Sequence, residues 1–477
     1  MTRRDVLNIM GAGFGMVGFR GVAGAEPAAD ETADATAEPA ADAAVNAAAD
    51  PLLPKAPHFP AKAKRVIYLF LNGGPSQVDT FDPKPKLDEY NGKPVPSGNL
   101  KTERKTGNLL KSPFSFKKYG QSGIEISEIF PKLGECADDL CVIRSMYTDR
   151  PNHEPSLFML NSGEKLPGRP SMGSWVTYGL GTENQNLPGF VVLCPGLPVV
   201  GHQLWSSTFL PAVYQGTYIN TDEKDPDRLI QHIRNQSLTR TEQREELDLL
   251  AALNRRHMRE QGSDPQLEAC IQSAEIAFRM QAEAPEAFDI TREPLRTRER
   301  YGDSDFGRGC LIARRLAERG VRMVQVYFGN FQPWDNHDDI QIHRTLAAQA
   351  DPPIAALLQD LKSSGMLEET LVIVGGEFGR TPAVEVSGLV KVQNGRDHNN
   401  QGFSYVLAGG GVKGGMVYGA TDDFGFKAVE KPVHIHDLHA TALHLMGLDH
   451  TRLTYRYSGR DFRLTDVAGT VVSEILS

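Results

Sequence analysis

Six short runs of β-branched, aliphatic and aromatic residues constrain this chain more than any other feature: 65–71, 140–146, 190–194, 321–328, 370–375 and 403–408. Each has the length and composition of a strand buried on both faces of a sheet. The first, Arg65-Val66-Ile67-Tyr68-Leu69-Phe70-Leu71, stops abruptly at Asn72-Gly73-Gly74-Pro75, a turn sequence. Helical patterns separate the runs. They cover 241–261 with Thr241 as N-cap, 265–283, 306–318, 340–364 and 438–446, and a further one around Ile129, Leu133 and Ala137 precedes the second run. Strands alternating with helices predict an α/β sandwich, a mostly parallel central sheet flanked by helices. Residues 225–300 read as a largely helical insertion on that sheet.

The domain is expected over 62–477. Before it, Thr2-Arg3-Arg4-Asp5-Val6-Leu7, a Gly-rich apolar run and Ala23-Gly24-Ala25 have the layout of a twin-arginine export signal over 1–25. That reading makes the twin-arginine translocase a transient partner and places the mature chain in the periplasm, on the cell surface or outside the cell. Residues 26–61, rich in Ala, Pro and acids and without large residues to bury in most of their length, read as a disordered spacer. The leading apolar run is too short to span a bilayer and no second one is long enough, so no stable membrane span is expected. With 60 Asp plus Glu against 51 Lys plus Arg, the charge of −9 argues against a nucleic-acid partner. Five Cys exclude a dense disulfide scaffold.

Thirteen His, several beside Asp, point to chemistry, and the clusters follow candidate strands, where an open α/β sheet collects its ligands. After the first strand, Asp79 is a candidate ligand or substrate contact, or else a helix cap. After the second, His153 in a loop is a ligand, a nucleophile or a satisfied polar residue. In Trp334-Asp335-Asn336-His337, an extended backbone points Asp335 and His337 the same way, and carboxylate plus neutral imidazole is a donor set for Zn, Mn or Fe. Glu377 ends its strand, and Asp397 and His398 lie on a loop that can return to it. Arg380 and Arg396 are placed to grip anionic oxygens, or to pair with Glu377 or Asp397. His434, His436 and His439 are second-choice ligands.

The segments Gly73-Gly74-Pro75-Ser76-Gln77-Val78-Asp79-Thr80-Phe81-Asp82-Pro83-Lys84, Arg169-Pro170-Ser171-Met172-Gly173-Ser174-Trp175, Glu377-Phe378-Gly379-Arg380-Thr381-Pro382 and Gly395-Arg396-Asp397-His398, with the 334–337 motif, resemble an exported family, the domain of unknown function 1501. That family looks like a sulfatase-like branch of the alkaline phosphatase superfamily. The resemblance implies the corresponding sandwich fold and a metal-bound centre acting on phosphoryl or sulfuryl groups. It matches Asp335, His337 and His398 to one metal site, and Glu377 with Asn72 or Asp79 to the surroundings of another. His153-Glu154-Pro155-Ser156-Leu157 stands where sulfatases carry Cys/Ser-x-Pro-Ser-Arg, so no formylglycine can form. Glu377-Phe378 replaces the Asp-His pair of the second metal site.

The expectation is an exported metal-dependent hydrolase of phosphate or sulfate esters. Its divalent cation, zinc first with manganese, iron or calcium as alternatives, is held by Asp335, His337, Glu377, Asp397 and His398. His153, Asp79, Arg380 and Arg396 act as catalytic groups on a small anionic substrate. With His153 at the nucleophile position, a phosphohistidine route, attack by activated water and loss of catalysis all remain open. The competing class is a non-catalytic binding or scaffold protein that keeps the fold.

Overall fold

The computed structural model describes residues 51–477 except 97, 99–100, 226–228, 230–236 and 263–264. The expected export signal over 1–25 and residues 26–50 of the expected spacer lie outside the described residues. In chain order the strands that build the site are β1 (Arg65–Phe70), β2 (Thr106–Leu109), β3 (Leu140–Tyr147), β4 (Phe190–Cys194), β5 (Thr217–Asn220), β6 (Met323–Tyr327), β7 (Thr370–Gly375), β8 (Gly379–Glu385), β9 (Arg396–Asn399), β10 (Phe403–Ala408), β11 (Met416–Tyr418) and β12 (Val433–His434). The main helices are α1 (His153–Ser162), α2 (Met172–Leu180), α3 (Arg240–Gln261), α4 (Pro265–Phe288), α5 (Asp305–Glu318), α6 (Ile342–Ser363) and α7 (Ile435–Leu445).

The large sheet has the order β11-β3-β10-β7-β1-β6-β4-β5, with β12 pairing the far end of β3. β1 runs parallel to both neighbours, Ile67 lying opposite Val324 of β6 and Val372 of β7. β10 runs against its neighbours β3 and β7. Successive side chains of a strand face opposite layers, and β1 shows it. Ile67 and Leu69 join a core with Ile312 and Leu316 of α5 and Leu357 and Leu361 of α6. Val66, Tyr68 and Phe70 join a second core with Leu160 of α1, Trp175 of α2 and Leu443 of α7. Each fully buried aliphatic side chain contributes about 1.5–3 kcal/mol, so the two layers hold the sheet from both faces. This is the alkaline phosphatase/sulfatase-like sandwich that the sequence implies: a mostly parallel sheet, flanking helices and a helical insertion built on the α3–α4 hairpin. No helix among the described residues is long and apolar enough to cross a membrane.

Several local expectations change. The N-cap of α3 is Thr239, not Thr241: its side chain accepts from the Glu242 backbone while Glu242 reaches back to the Thr239 amide. Around Ile129–Ala137 the chain makes only the single turn Pro131–Gly134, whose Lys132 and Leu133 amides donate to Asp351, before a 3-10 turn at Ala137–Asp139. His153 opens α1 instead of lying in a loop, and His398 sits in β9. Residues 51–61, assigned above to the spacer, pack on the domain. Leu52 is buried, the Lys55 amide donates to Leu180 O at 2.9 Å, and the His58 amide donates to Gly447 O at 2.8 Å.

Because β1, β6 and β7 are parallel neighbours, the segments leaving their carboxyl ends emerge side by side. A second, three-stranded antiparallel sheet, β9-β8-β2, lies against them. Its register puts His398 opposite Arg380.

Candidate metal centre

Three imidazoles converge on one carboxylate oxygen. Asp335 Oδ1 lies 2.8 Å from His337 Nε2, 3.1 Å from His398 Nε2 and 3.3 Å from His153 Nε2. The Nε2 atoms of His337 and His398 are themselves 3.1 Å apart. Three elements supply these groups: the loop after β6 (Asp335, His337), the start of α1 (His153) and β9 (His398) are brought together by the carboxyl ends of β1 and β7.

One close juncture is at Gly73. Its φ of +117° is closed to most residues, and a Cβ there would lie 2.5 Å from the Asp335 backbone nitrogen. The Gly73 amide donates to Glu377 Oε1 and Oε2 at 3.0 and 3.1 Å. The Gly73 carbonyl accepts from Arg380 Nη2, which also reaches Asp335 Oδ1 at 2.6 Å.

Each imidazole is oriented through its other nitrogen. His153 Nδ1 lies 2.6 Å from Glu377 Oε1, His398 Nδ1 lies 2.5 Å from Glu103 Oε2, and His337 Nδ1 bonds Glu385 Oε2. A carboxylate only accepts, so each Nδ1 donates to its outer carboxylate. Each Nε2 then faces the shared point, where it donates to Asp335 when protonated and offers a lone pair to a cation when neutral. His153 Nε2 is buried without a hydrogen-bond partner of good geometry, and so is Asp397 Oδ1. His153, Asp335 and His398 form one group close enough to hold a metal ion; Glu103, Asp397 and His398 form a second, and His337, Glu385 and Asp397 a third. The donor set fits a divalent cation. With no cation bound, burial pushes the Asp335 carboxyl up, but the Arg380 guanidinium and the three imidazoles outweigh it and hold the group far below the usual carboxylate range. Burial pulls His153 down, and the Asp335 and Glu377 carboxylates more than reverse that, raising it. The Asp335 side chain is 21 % exposed against 3 % for His398, so the cluster opens to solvent on the Asp335 side.

The other expected site residues are placed as follows. Asp79 and Arg396 are fully buried and closed on each other, with Arg396 Nε 2.7 Å from Asp79 Oδ2 and Nη1 donating to Thr381 O. Their polar atoms are taken up by each other, by Ser76 and by Thr381. Arg380 touches the cluster but is fully buried, bonding Asp335 and the Gly73 and Gly74 carbonyls. It is the counter-ion of Asp335 and not a free anion grip. Glu377, expected as a ligand, has its oxygens taken by His153 and the Gly73 amide. Asp397 accepts from the Arg104 amide at 2.7 Å through Oδ2. The Phe378 ring packs 4.7 Å from both the His153 and His398 rings and walls the cluster on that side. Ser156 of α1 donates to Arg150 O, in the segment before the helix, at 2.6 Å. His436 and His439 bond Gly163 O and Leu160 O, fastening α7 to α1.

Glu103 and Glu385 were missed. Glu385 left a trace, an acid at a buried position in the apolar Pro382-Ala383-Val384-Glu385 strand. Glu103 sits among Lys101, Thr102, Arg104 and Lys105, which read as a solvated charge run.

The sequence pattern of a family described as "Protein of unknown function (DUF1501)" matches residues 63–476. No curated protein matches. Solved structures similar to this chain include a lipoteichoic acid synthase from Listeria monocytogenes, at 11% identity over 85% of this chain and 76% of that one, TM-score 0.35. Others are a sulfatase from Pseudoalteromonas sp., 13% identical over 81% and 68%, TM-score 0.33, and a phosphonate monoester hydrolase from Silicibacter pomeroyi, 12% identical over 67% and 68%, TM-score 0.32.

Proposed function

The chain belongs to the DUF1501 family, and from that premise we propose that it is an exported, metal-dependent hydrolase of phosphate or sulfate esters. One observation carries the reading: the Nε2 atoms of three imidazoles, each held by a carboxylate at Nδ1, meet at the Asp335 carboxylate. Asp335, His337 and His398 hold a divalent cation there, with zinc the first candidate. Such a cation supplies Lewis acidity toward an anionic ester oxygen. The protein's part is positioning. Glu385 and Glu103 fix the tautomer and orientation of His337 and His398, Arg380 balances the Asp335 charge, and Phe378 keeps water from one side. The ester substrate class rests on the family resemblance and on the solvent-facing side of Asp335.

The test is elemental analysis of mature protein purified without chelator, beside a His337→Ala/His398→Ala double variant, followed by a screen of phosphate and sulfate esters with the metal found. Near-stoichiometric metal, absent from the variant, and metal-dependent turnover support the reading. A wild type that stays empty with each cation overturns it.

A second reading has its own observation. Arg380 and Arg396 are both fully buried and paired, so neither is free to bind substrate oxygens. That favours a protein that keeps fold and metal without turnover, and a metal-loaded chain inactive on every ester supports it.

A further inference from the structure

His153 stands where the resemblance puts a nucleophile. We infer that it is instead a third imidazole ligand of the cation, and that the resulting set of three nitrogens and one carboxylate selects a first-row transition metal over calcium or magnesium. The inference rests on the metal reading above and deepens it.

A histidine that accepts a phosphoryl or sulfuryl group must present a ring nitrogen to the incoming ester. His153 Nε2 is buried and points at Asp335 Oδ1, 3.3 Å away, the oxygen that His337 and His398 also face. The His153 and His398 rings pack edge to face with centroids 4.3 Å apart, and Phe378 lies against both. His153 Nδ1 is no freer, since Glu377 Oε1 holds it at 2.6 Å.

The surroundings repeat a pattern. Imidazole Nδ1 to carboxylate, with Nε2 to the common point, occurs at His337 with Glu385, at His398 with Glu103 and at His153 with Glu377. An outer carboxylate on each ring is how proteins fix a ligating imidazole. Glu377 is fully buried and bonded through both oxygens to the Gly73 amide. It is therefore the positioning residue for His153 and does not swing in as a ligand.

Donor chemistry then decides the metal. Calcium and magnesium take oxygen ligands, whereas imidazole suits zinc, iron, copper and nickel. A site with one nearby carboxylate oxygen and three ring nitrogens gives a hard cation little to bind.

The experiment titrates chelator-stripped mature protein with Zn²⁺, Co²⁺ and Ca²⁺. Zinc affinity is read by competition with a chromophoric chelator, and coordination by the visible spectrum of the Co²⁺ form. The proteins are wild type, His153→Ala, His153→Gln and Glu377→Gln, with circular dichroism of each metal-free form confirming the fold. Wild type is expected to bind Zn²⁺ and Co²⁺ and to keep them against excess Ca²⁺. Both His153 variants are expected to lose about 100-fold or more in zinc affinity and to change the Co²⁺ spectrum. Glu377→Gln is expected to lose about 10–100-fold, the range for an outer partner. Folded His153 variants with wild-type affinity and spectrum overturn the inference while leaving the metal reading intact. So does Ca²⁺ displacing Zn²⁺ at comparable concentration. A wild type that binds no cation overturns both.

Discussion

Glu385 and Glu103 bond the outer nitrogens of His337 and His398, and each thereby sets which nitrogen of its histidine carries the proton. Replacing Glu385 with Gln keeps the shape but lets the amide donate as well as accept, loosening the His337 tautomer. The expected outcome is about a 10–100-fold loss of metal affinity by chelator competition, with the circular dichroism spectrum unchanged. The convergence of Asp335, His337 and His398 was legible in the sequence because the first two share one side of an extended stretch beyond a candidate strand and the third lies on a segment able to return to it. The closure of Asp79 on Arg396 was not legible, because one sequence does not show that two opposite charges 317 positions apart bury each other. The outer carboxylates escaped notice for a related reason. An acid looks the same in sequence whether it faces water or an imidazole from a distant strand.

Six strands of the large sheet, β1, β3, β4, β6, β7 and β10, were read from their composition to within a residue or two at each end, since a two-sided core demands continuous apolar runs, whereas the short strands of the second sheet carry no such run. Helix starts were less legible, because they depend on which neighbour accepts the first amides. α7 shows what tertiary contacts add. His439 Nε2 donates to Leu160 O of α1 at 2.7 Å, and full burial pushes its pKa down to about 3 from 6.5. The folded state therefore keeps this ring neutral where the unfolded chain protonates it. With the folded pKa below the unfolded one, its contribution is present above pH 6.5 and is lost as pH falls toward 3. His439→Gln removes this titration, so thermal melts across that window are expected to show a shallower acid loss of Tm in the variant than in wild type.

Taken whole, the domain begins before the point where the composition turns apolar. Residues 51–61 carry one large core residue, Leu52, and several backbone hydrogen bonds to the loops after α2 and α7, a density too low to stand out in a spacer rich in Ala and Pro. Lys55 also lies over the Tyr178 and Tyr214 rings and donates to the Tyr178 carbonyl at 2.8 Å. A chain starting at Lys62 is expected to melt lower than one starting at Pro51, about 1.5–3 kcal/mol being lost with Leu52 alone. Differential scanning calorimetry of the two proteins checks it, and equal melting temperatures refute the packing role.

The cluster itself joins residues as far apart as Glu103 and His398, 295 positions, and His153 and Glu377, 224 positions. Contacts of such separation form late, after the intervening loops have closed. No local fragment of the chain holds enough of the donor set to capture an ion early. On the proposed metal reading, the ion supply around the chain at the moment the sheet closes then decides which metal enters, and the compartment where folding finishes matters more to the chemistry of the site than the one where it works.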